Sequence, residues 1–199
     1  EHNEVAPALA AALPTDVPII ALHLTRPPVE IPDRKQLGMS SHLDASKGAY
    51  VIKDFDEKGE KKGVVIVRGT SSTNSIVNLL DILRKENINV KIVAAISWEL
   101  FKRQSEEYQK TIISDIEWLD SMIVTNGALR LMHKWIGGKI VEDYSMSPDF
   151  DNRWRTGGSV DEIVAESKID SLSVLDGIKK FVNERDKRMA AISSSLPKA

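Results

Sequence analysis

Apolar and polar positions at the start of the chain follow a helical pattern, then a short apolar run, then a proline-rich stretch. Apolar residues recur at helical spacing from Val5 to Leu13, and the run from Val17 to Leu24 predicts a short buried strand. The stretch from Arg26 to Arg34 has three prolines within six residues, which neither a helix nor a central strand accommodates. Residues 1–46 are therefore predicted to be the end of one unit and a linker to the next.

Residues 47–199 are predicted to form the second unit. Ala49 to Asp54 predicts an edge strand, and Val64 to Val67 is a β-branched run typical of a strand buried on both faces. Helical spacing from Ile76 to Asn87 predicts an amphipathic helix, and Val90 to Ile96 predicts a second buried strand. This strand–helix–strand succession indicates a right-handed unit whose two strands are parallel.

The rest of the chain continues to alternate between helical and extended patterns. This alternation predicts an α/β fold, a three-layer sandwich around a mostly parallel sheet of about five strands. The further predicted elements are a helix from Trp98 to Ser114, a strand from Ser121 to Thr125, a short helix from Leu129 to Ile136, a strand from Lys139 to Tyr144, a helix opened by a capping box at Ser159 and running to Glu166, and a last helix from Leu172 to Arg188.

The composition is that of an ordinary globular protein and argues against several classes of function. Hydrophobic residues make up 42% of the chain, and 27 basic against 29 acidic side chains give a net charge of −2. That balance favours neither nucleic acid nor an anionic membrane as a partner. The chain has no cysteine, which excludes disulfides and thiolate sites and is compatible with a reducing cytoplasm. No apolar run approaches the roughly 20 residues of a membrane-spanning helix.

The segment from Ser97 to Tyr108, SWELFKRQSEEY, is the most distinctive in the chain. Trp98, Phe101, Gln104 and Tyr108 are three or four positions apart, so they share one face of the predicted helix. We predict that this face packs on the sheet, with the polar ends of Gln104 and Tyr108 hydrogen-bonded to backbone. A small-molecule site on this face is the alternative.

The same segment resembles the S-x-P-x-W-E-x-F-x-x-Q-x-x-x-Y signature in the C-terminal domain of transketolases. The resemblance implies that residues 1–46 end a pyrimidine-binding domain and lead out of it, and that residues 47–199 are the C-terminal domain. Weaker similarities occur in the family's order: Asn3-Glu4 with its D-x-N-E helix, Leu22 to Arg26 with L-x-L-S-R-Q (Thr25 replacing Ser and Pro27 replacing Gln), Gly69-Thr70-Ser71 with G-S-E, and Gly157-Gly158-Ser159 with F-G-x-S-x-P.

Membership of that family implies a parent enzyme that moves a two-carbon ketol unit between sugar phosphates, as in the pentose phosphate pathway. Thiamine diphosphate and Mg²⁺ would lie in the parent's other domains, so this chain is expected to hold no catalytic, cofactor-binding or metal-binding residue and to be inactive alone. Its expected partners are the other domains or subunits of a dimeric, cytoplasmic enzyme. The alternative is a self-standing ligand-binding or regulatory module that uses the open ends of the parallel strands, since a fold does not fix a function.

Arg26 is the one position to which the resemblance assigns a functional role. In the family the arginine of S-R-Q lies at the mouth of the active-site funnel and binds the sugar phosphate. Two guanidinium donors can engage two phosphate oxygens together. Arg26 is therefore predicted to hold phosphorylated substrate in the intact enzyme, the alternative being a surface arginine in a proline-rich linker.

The remaining candidates have structural interpretations. Gly69 to Thr73 follows a predicted strand, where free amides can hold an anion, but ordinary N-capping by Ser or Thr explains it. The four histidines lack the spacing of a metal site. Trp154 lies between Arg153 and Arg155 and is predicted to contact another domain or subunit. The chain opens on a helical pattern without an initiator Met or signal sequence, so we expect it to be part of a longer protein.

Overall fold

One mixed sheet organises the protein. The computed structural model describes residues 1–24, 28–155 and 157–195. Within them the strands lie in the order β1-β3-β2-β4, and β2 is parallel to both of its neighbours while β1 runs antiparallel to β3 at the edge. The predicted mostly parallel sheet and its edge strand are confirmed. The strands are β1 (Ala49–Lys53), β2 (Val64–Arg68), β3 (Lys91–Ala95) and β4 (Ser121–Thr125).

The register brings the carboxyl ends of the three parallel strands to one edge of the sheet. Val67 on β2 lies beside Ala94 on β3 and beside Val124 on β4. Met146 adds a single parallel bridge to Val124. The described residues therefore contain four strands and one bridge where about five strands were predicted.

Short helices connect and cover the strands. Several begin at a side-chain cap: Ser97, Ser105 and Ser159 each accept a hydrogen bond from the backbone of the first helical turn. The α-helices are α1 (Val5–Ala12), α2 (Arg34–Leu37), α3 (Thr70–Val77), α4 (Leu80–Lys85), α5 (Trp98–Lys102), α6 (Glu106–Ile112), α7 (Asp115–Leu119), α8 (Lys139–Tyr144), α9 (Val160–Glu166), α10 (Ser171–Asn183) and α11 (Arg185–Ser195), and 3₁₀ helices span His2–Glu4, His42–Lys47 and Leu129–Trp135.

The sheet is buried on both faces, which makes the three layers. Val65 and Val67 point into a core formed with α3, α4 and α10, and Val64 and Ile66 point into the opposite core with α5, α6 and the 3₁₀ helix Leu129–Trp135. These four side chains are at most 1% exposed. Burying a side chain of this size contributes about 1.5–3 kcal/mol, so the β-branched run stabilises both interfaces at once.

Two predicted strands are wrong. Val17 to Leu24 forms no strand, and Ile19 and Leu24 are 83% and 62% exposed. Lys139 to Tyr144 is the helix α8, in which Val141 is buried and Lys139 pairs with Asp143 one turn on. Apolar runs this short do not distinguish a strand from one buried helical turn.

Three predicted helices are divided. The helix predicted from Trp98 breaks before Ser105, which caps α6. The one predicted to reach Asn87 is α3 followed by α4, and Asn87 ends it at a φ of 55°. The last one, predicted from Leu172 to Arg188, divides at Glu184 and continues to Ser195. Hydrophobic periodicity shows which face of a helix is buried. It does not show where a capping residue ends one helix and begins another with the same buried face.

Candidate ligand-binding site

A cavity of about 620 Å³ lies at the carboxyl ends of the parallel strands. The chain leaves β2 toward α3 on one face of the sheet and leaves β3 toward α5 on the other face. The two departing segments separate there and open a crevice, which is where α/β sheets place ligands. The volume lies within the roughly 300–1,000 Å³ of typical small-molecule sites. Helix α1 and residues 20–24 close its other side.

Arg68, the last residue of β2, is half-buried in the wall of this cavity. Its Nη1 donates to the Leu131 carbonyl at 3.3 Å and lies 3.7 Å from Met132 Sδ. Burial lowers the pKa of the Arg68 guanidinium from its ordinary value, although the group remains charged at neutral pH. None of the described carboxylates pairs with it. The cavity wall therefore carries a positive charge that the described residues do not neutralise.

The chain turns sharply from Arg68 into α3. Gly69 has a φ of 97°, a conformation that residues with a side chain rarely adopt, and a Cβ there would also displace the Asn126 side chain, whose Oδ1 would lie 1.6 Å away. Gly69 is also the N-cap of α3, without a side-chain hydrogen bond to the first turn. The predicted capping by Ser or Thr is therefore wrong, because the left-handed turn places glycine at the cap. The first amides of α3 have no acceptor within the helix.

Thr73 lies one turn into α3 and also lines the cavity. Its amide donates to the Gly69 carbonyl at 2.9 Å, and the residue is 5% exposed. Its hydroxyl makes no hydrogen bond with any of the residues described. Thr73 therefore offers the cavity a donor and an acceptor that none of the described residues uses.

A buried polar network fixes α1 over the cavity. Arg34 Nη2 donates to the Tyr50 hydroxyl at 2.7 Å and lies 3.4 Å from Glu4 Oε1. The Tyr50 hydroxyl donates to Glu4, and burial together with that carboxylate raises the pKa of Tyr50. Arg34 also pairs with Glu1 at 2.9 Å. The two acidic residues that line the cavity thus share one arginine, which offsets one of their two negative charges.

The segment that begins at Trp98 packs on the sheet as predicted. Phe101 is fully buried, and Trp98 lies edge-on to Trp135 with the ring centroids 5.0 Å apart. Gln104 donates to the Leu100 carbonyl at 2.9 Å, and Tyr108 donates to the Ala49 carbonyl at 2.9 Å. The predicted backbone hydrogen bonds of both polar ends are confirmed, and this face of the segment is occupied by the core.

Arg26, the predicted phosphate-binding residue, lies outside the described residues. Leu24, two positions earlier in the sequence, lines the cavity. Trp154 is 97% exposed, while Arg153 and Arg155 on either side of it bind Asp151. The described ranges contain no group of three or more His, Cys, Asp or Glu side chains placed to hold a metal ion. Over the same ranges no helix has the length and apolar character to cross a membrane.

The lining of the cavity is suited to binding. It combines a fixed cation, a hydroxyl without a partner and the apolar side chains of α1. The open ends of the parallel strands were predicted as a possible ligand position, but Arg68 and Thr73 were not singled out. The signal that identifies them is positional, because a polar residue that ends a buried parallel strand lies at the ligand-binding edge.

Comparison with known protein families identifies one domain. The family described as "Transketolase-like TK C-terminal domain" matches residues 48–144. The chain is 43% identical over 79 residues to transketolase 7 of Craterostigma plantagineum, covering 39% of this chain and 12% of the relative. It is 35% identical over 94 residues to the chloroplastic transketolase of Spinacia oleracea, covering 47% and 12%.

Solved structures show the same fold. A Pichia stipitis transketolase complex with sedoheptulose 7-phosphate superposes with a TM-score of 0.54 at 21% identity, over 72% of this chain and 19% of that one. The chain thus spans about an eighth of the length of the two relatives named above.

Proposed function

We propose that this chain, in which residues 48–144 match the transketolase-like C-terminal domain, is the C-terminal part of an enzyme that transfers a two-carbon ketol unit between sugar phosphates. The match over residues 48–144 carries the proposal, because it includes all four described strands and the helices α3 to α8. The relatives' much greater length leaves room for the remaining domains.

We assign this domain a supporting role in a dimer. The apolar run from Val17 to Leu24 has the composition of a strand, yet Ile19 is 83% and Leu22 47% exposed. Contiguous exposed apolar side chains mark surfaces that another protein surface covers. In the parent enzyme this run would pair with the rest of the pyrimidine-binding domain. Trp154, at 97% exposed, is a second candidate contact with another domain or subunit.

Thiamine diphosphate and Mg²⁺ belong, in this proposal, to the other domains. A diphosphate-bound Mg²⁺ takes one or two carboxylates from the protein. The carboxylates at the cavity, Glu1 and Glu4, are already paired with Arg34, so this lining does not fit the metal. No step of the reaction is therefore assigned to residues of this chain.

The domain boundary and Arg26 form one further part of the proposal. Residues 1–46 would end the pyrimidine-binding domain, residues 47–199 would be the C-terminal domain, and Arg26 would hold the phosphate of the substrate. Arg26→Ala in the assembled enzyme is then expected to raise KM for a phosphorylated acceptor. An unchanged KM would remove Arg26 from the substrate site.

The compartment is a further part of the proposal. The lack of cysteine is compatible with the cytoplasm, whereas the spinach relative is named as chloroplastic. We propose the cytoplasm, with the plastid as the alternative. Cell fractionation followed by detection of the native enzyme distinguishes the two.

The test of the supporting role is reconstitution. The upstream part of the parent is produced with and without residues 1–199, and dimer dissociation is measured by analytical ultracentrifugation beside ketol transfer. We expect a more stable dimer and higher activity when the chain is present. Equal dimer stability and equal activity in both preparations would refute the supporting role.

A self-standing ligand-binding module is the second candidate. The cavity at the ends of β2, β3 and β4 favours it, because it is lined by groups that the described residues leave unpaired. The gene sequence upstream of Glu1 discriminates the two functions. An adjoining thiamine-binding region supports the enzyme part, and its absence supports the module.

A further inference from the structure

We propose that the cavity at the carboxyl ends of β2, β3 and β4 binds a small organic phosphate, whose phosphate group contacts Arg68 and the first turn of α3. This ligand is separate from the substrate phosphate assigned to Arg26. The inference does not depend on the proposed function, because it uses only the geometry of the described residues.

The positive end of the site is Arg68. Its Nη1 makes one hydrogen bond of 3.3 Å to the Leu131 carbonyl, and none of the described residues accepts from its Nε or Nη2. A guanidinium with free donors beside a cavity is matched by an oxyanion, which accepts two parallel hydrogen bonds. A phosphomonoester also carries close to two negative charges at neutral pH, which a single unpaired arginine attracts strongly.

The first turn of α3 completes the anion site. Gly69 and Thr70 line the cavity, and α3 starts without a side-chain cap. The free amides of such a turn favour an anion. Thr73 supports an anion site independently of the helix terminus. It is 5% exposed, it lines the cavity, and its hydroxyl has no partner in the described part of the chain. That hydroxyl is free to donate to a phosphate oxygen in the cavity.

The rest of the cavity accommodates an organic body. Leu9 on α1, Leu100 and Met132 line it, and the volume of about 620 Å³ far exceeds that of an inorganic anion. Glu1 and Glu4 also line it, and both pair with Arg34, which reduces their repulsion of an anion. The site therefore matches a phosphomonoester with a partly apolar or hydroxylated body.

The experiment uses the full chain and three phosphomonoesters, glucose 6-phosphate, AMP and 3-phosphoglycerate. Their dephosphorylated counterparts, glucose, adenosine and glycerate, are the ligand controls. Binding is followed by amide chemical-shift changes in NMR titrations, with inorganic phosphate as a further probe. We expect at least one phosphomonoester to shift the amides of Gly69, Thr70 and Thr73, to bind more tightly than inorganic phosphate, and to lose binding when dephosphorylated.

Variants separate this site from the other arginines. Arg68→Met keeps the aliphatic stem and is expected to weaken binding about tenfold or more, and Thr73→Val about threefold to tenfold. Arg84→Met removes an exposed arginine of α4 that pairs with Asp81, so binding is expected to stay unchanged. Arg26→Met tests the arginine assigned to the substrate phosphate and is likewise expected to leave binding unchanged. Arg68→Lys keeps the positive charge but removes the planar guanidinium. In a protein that stays folded, weaker binding by this variant measures the contribution of the two parallel hydrogen bonds.

Three results would overturn the proposal. The first is the absence of any amide shift around Gly69 with all three phosphomonoesters at millimolar concentration. The second is equal affinity of the unsubstituted chain and of Arg68→Met for the phosphomonoester. The third is a loss of binding in Arg26→Met that equals the loss in Arg68→Met, because the anion would then belong to the substrate site.

Discussion

Asp120→Asn is expected to destabilise the protein strongly, because it leaves the buried Arg188 without its countercharge. Arg188 is 1% and Asp120 4% exposed. Arg188 Nη2 and Nε lie 2.7 Å and 2.9 Å from Asp120 Oδ1, and Arg185 Nε donates to Oδ2 at 2.8 Å. Arg188 also lies 3.6 Å above the centre of the Phe181 ring. One carboxylate thus anchors α11 to the end of α7.

The size of this destabilisation follows from the burial of the ion pair. Removing one partner of a buried ion pair costs about 3–5 kcal/mol, since the remaining charge stays desolvated. Asparagine keeps the shape and part of the hydrogen bonding, so the lower end, about 3 kcal/mol, is expected. The exposed pair Asp81–Arg84, with side chains 63% and 59% exposed, is the matched control, and Asp81→Asn is expected to cost at most about 1 kcal/mol.

Urea unfolding followed by tryptophan fluorescence measures both variants. The Trp98, Trp118 and Trp135 rings touch one another in the core, so their emission reports unfolding. The double variant Asp120→Asn with Arg188→Met is expected to recover much of the loss, because it removes the unpaired charge as well. A loss below about 1 kcal/mol for Asp120→Asn, equal to that of the control, would refute the reasoning.

Three further perturbations test the packing, the network over the cavity and one surface ion pair. Gly48→Ala is expected to lower the free energy of unfolding by more than about 3 kcal/mol, because the φ of Gly48 is 83° and the new Cβ would lie 2.2 Å from a backbone nitrogen. Gly38→Ala, in open space at a φ of 67°, is expected to lower it by only about 1–2 kcal/mol. Equal urea midpoints for the two variants would contradict this. Tyr50→Phe removes the hydroxyl between Arg34 and Glu4, so it is expected to lower the free energy of unfolding by about 1–3 kcal/mol and to speed amide hydrogen exchange in α1. Unchanged exchange would show that this network does not hold α1 in place. The hydrogen bonds of Arg155 lower the pKa of Asp151 from 3.8 to about 2. This ion pair is therefore expected to stabilise the fold above about pH 4, and the stabilisation is lost as the pH falls through about 2. An NMR titration in which Arg155→Met leaves the pKa of Asp151 near 2 would contradict the assignment.

The sequence predicts the parallel core of the sheet well, because burial on both faces leaves a strong pattern. Ser121 to Thr125 is predicted with the bounds that β4 has, and the β-branched run from Val64 lies within β2. Such runs are bounded by polar turns and are too short for a full helix. Local chemistry also locates the start of α9, because the capping box at Ser159 and Glu162 forms as expected.

The sequence does not predict elements whose state depends on partners distant in the chain. Val17 to Leu24 has a strand's composition, but none of the described strands pairs with it, and a strand needs a neighbour for its hydrogen bonds. The cavity depends in the same way on the register that brings Val67, Ala94 and Val124 side by side. Arg68 is recognisable as part of a site only when that register is known.

Calorimetry of the isolated chain tests the central claim most directly. The chain is titrated with thiamine diphosphate in the presence of Mg²⁺, and the same sample is assayed for ketol transfer from xylulose 5-phosphate to ribose 5-phosphate. Because the cofactor is assigned to other domains of the parent enzyme, we expect no binding heat and no transfer. Micromolar cofactor binding, or ketol transfer by this chain alone, would contradict the account.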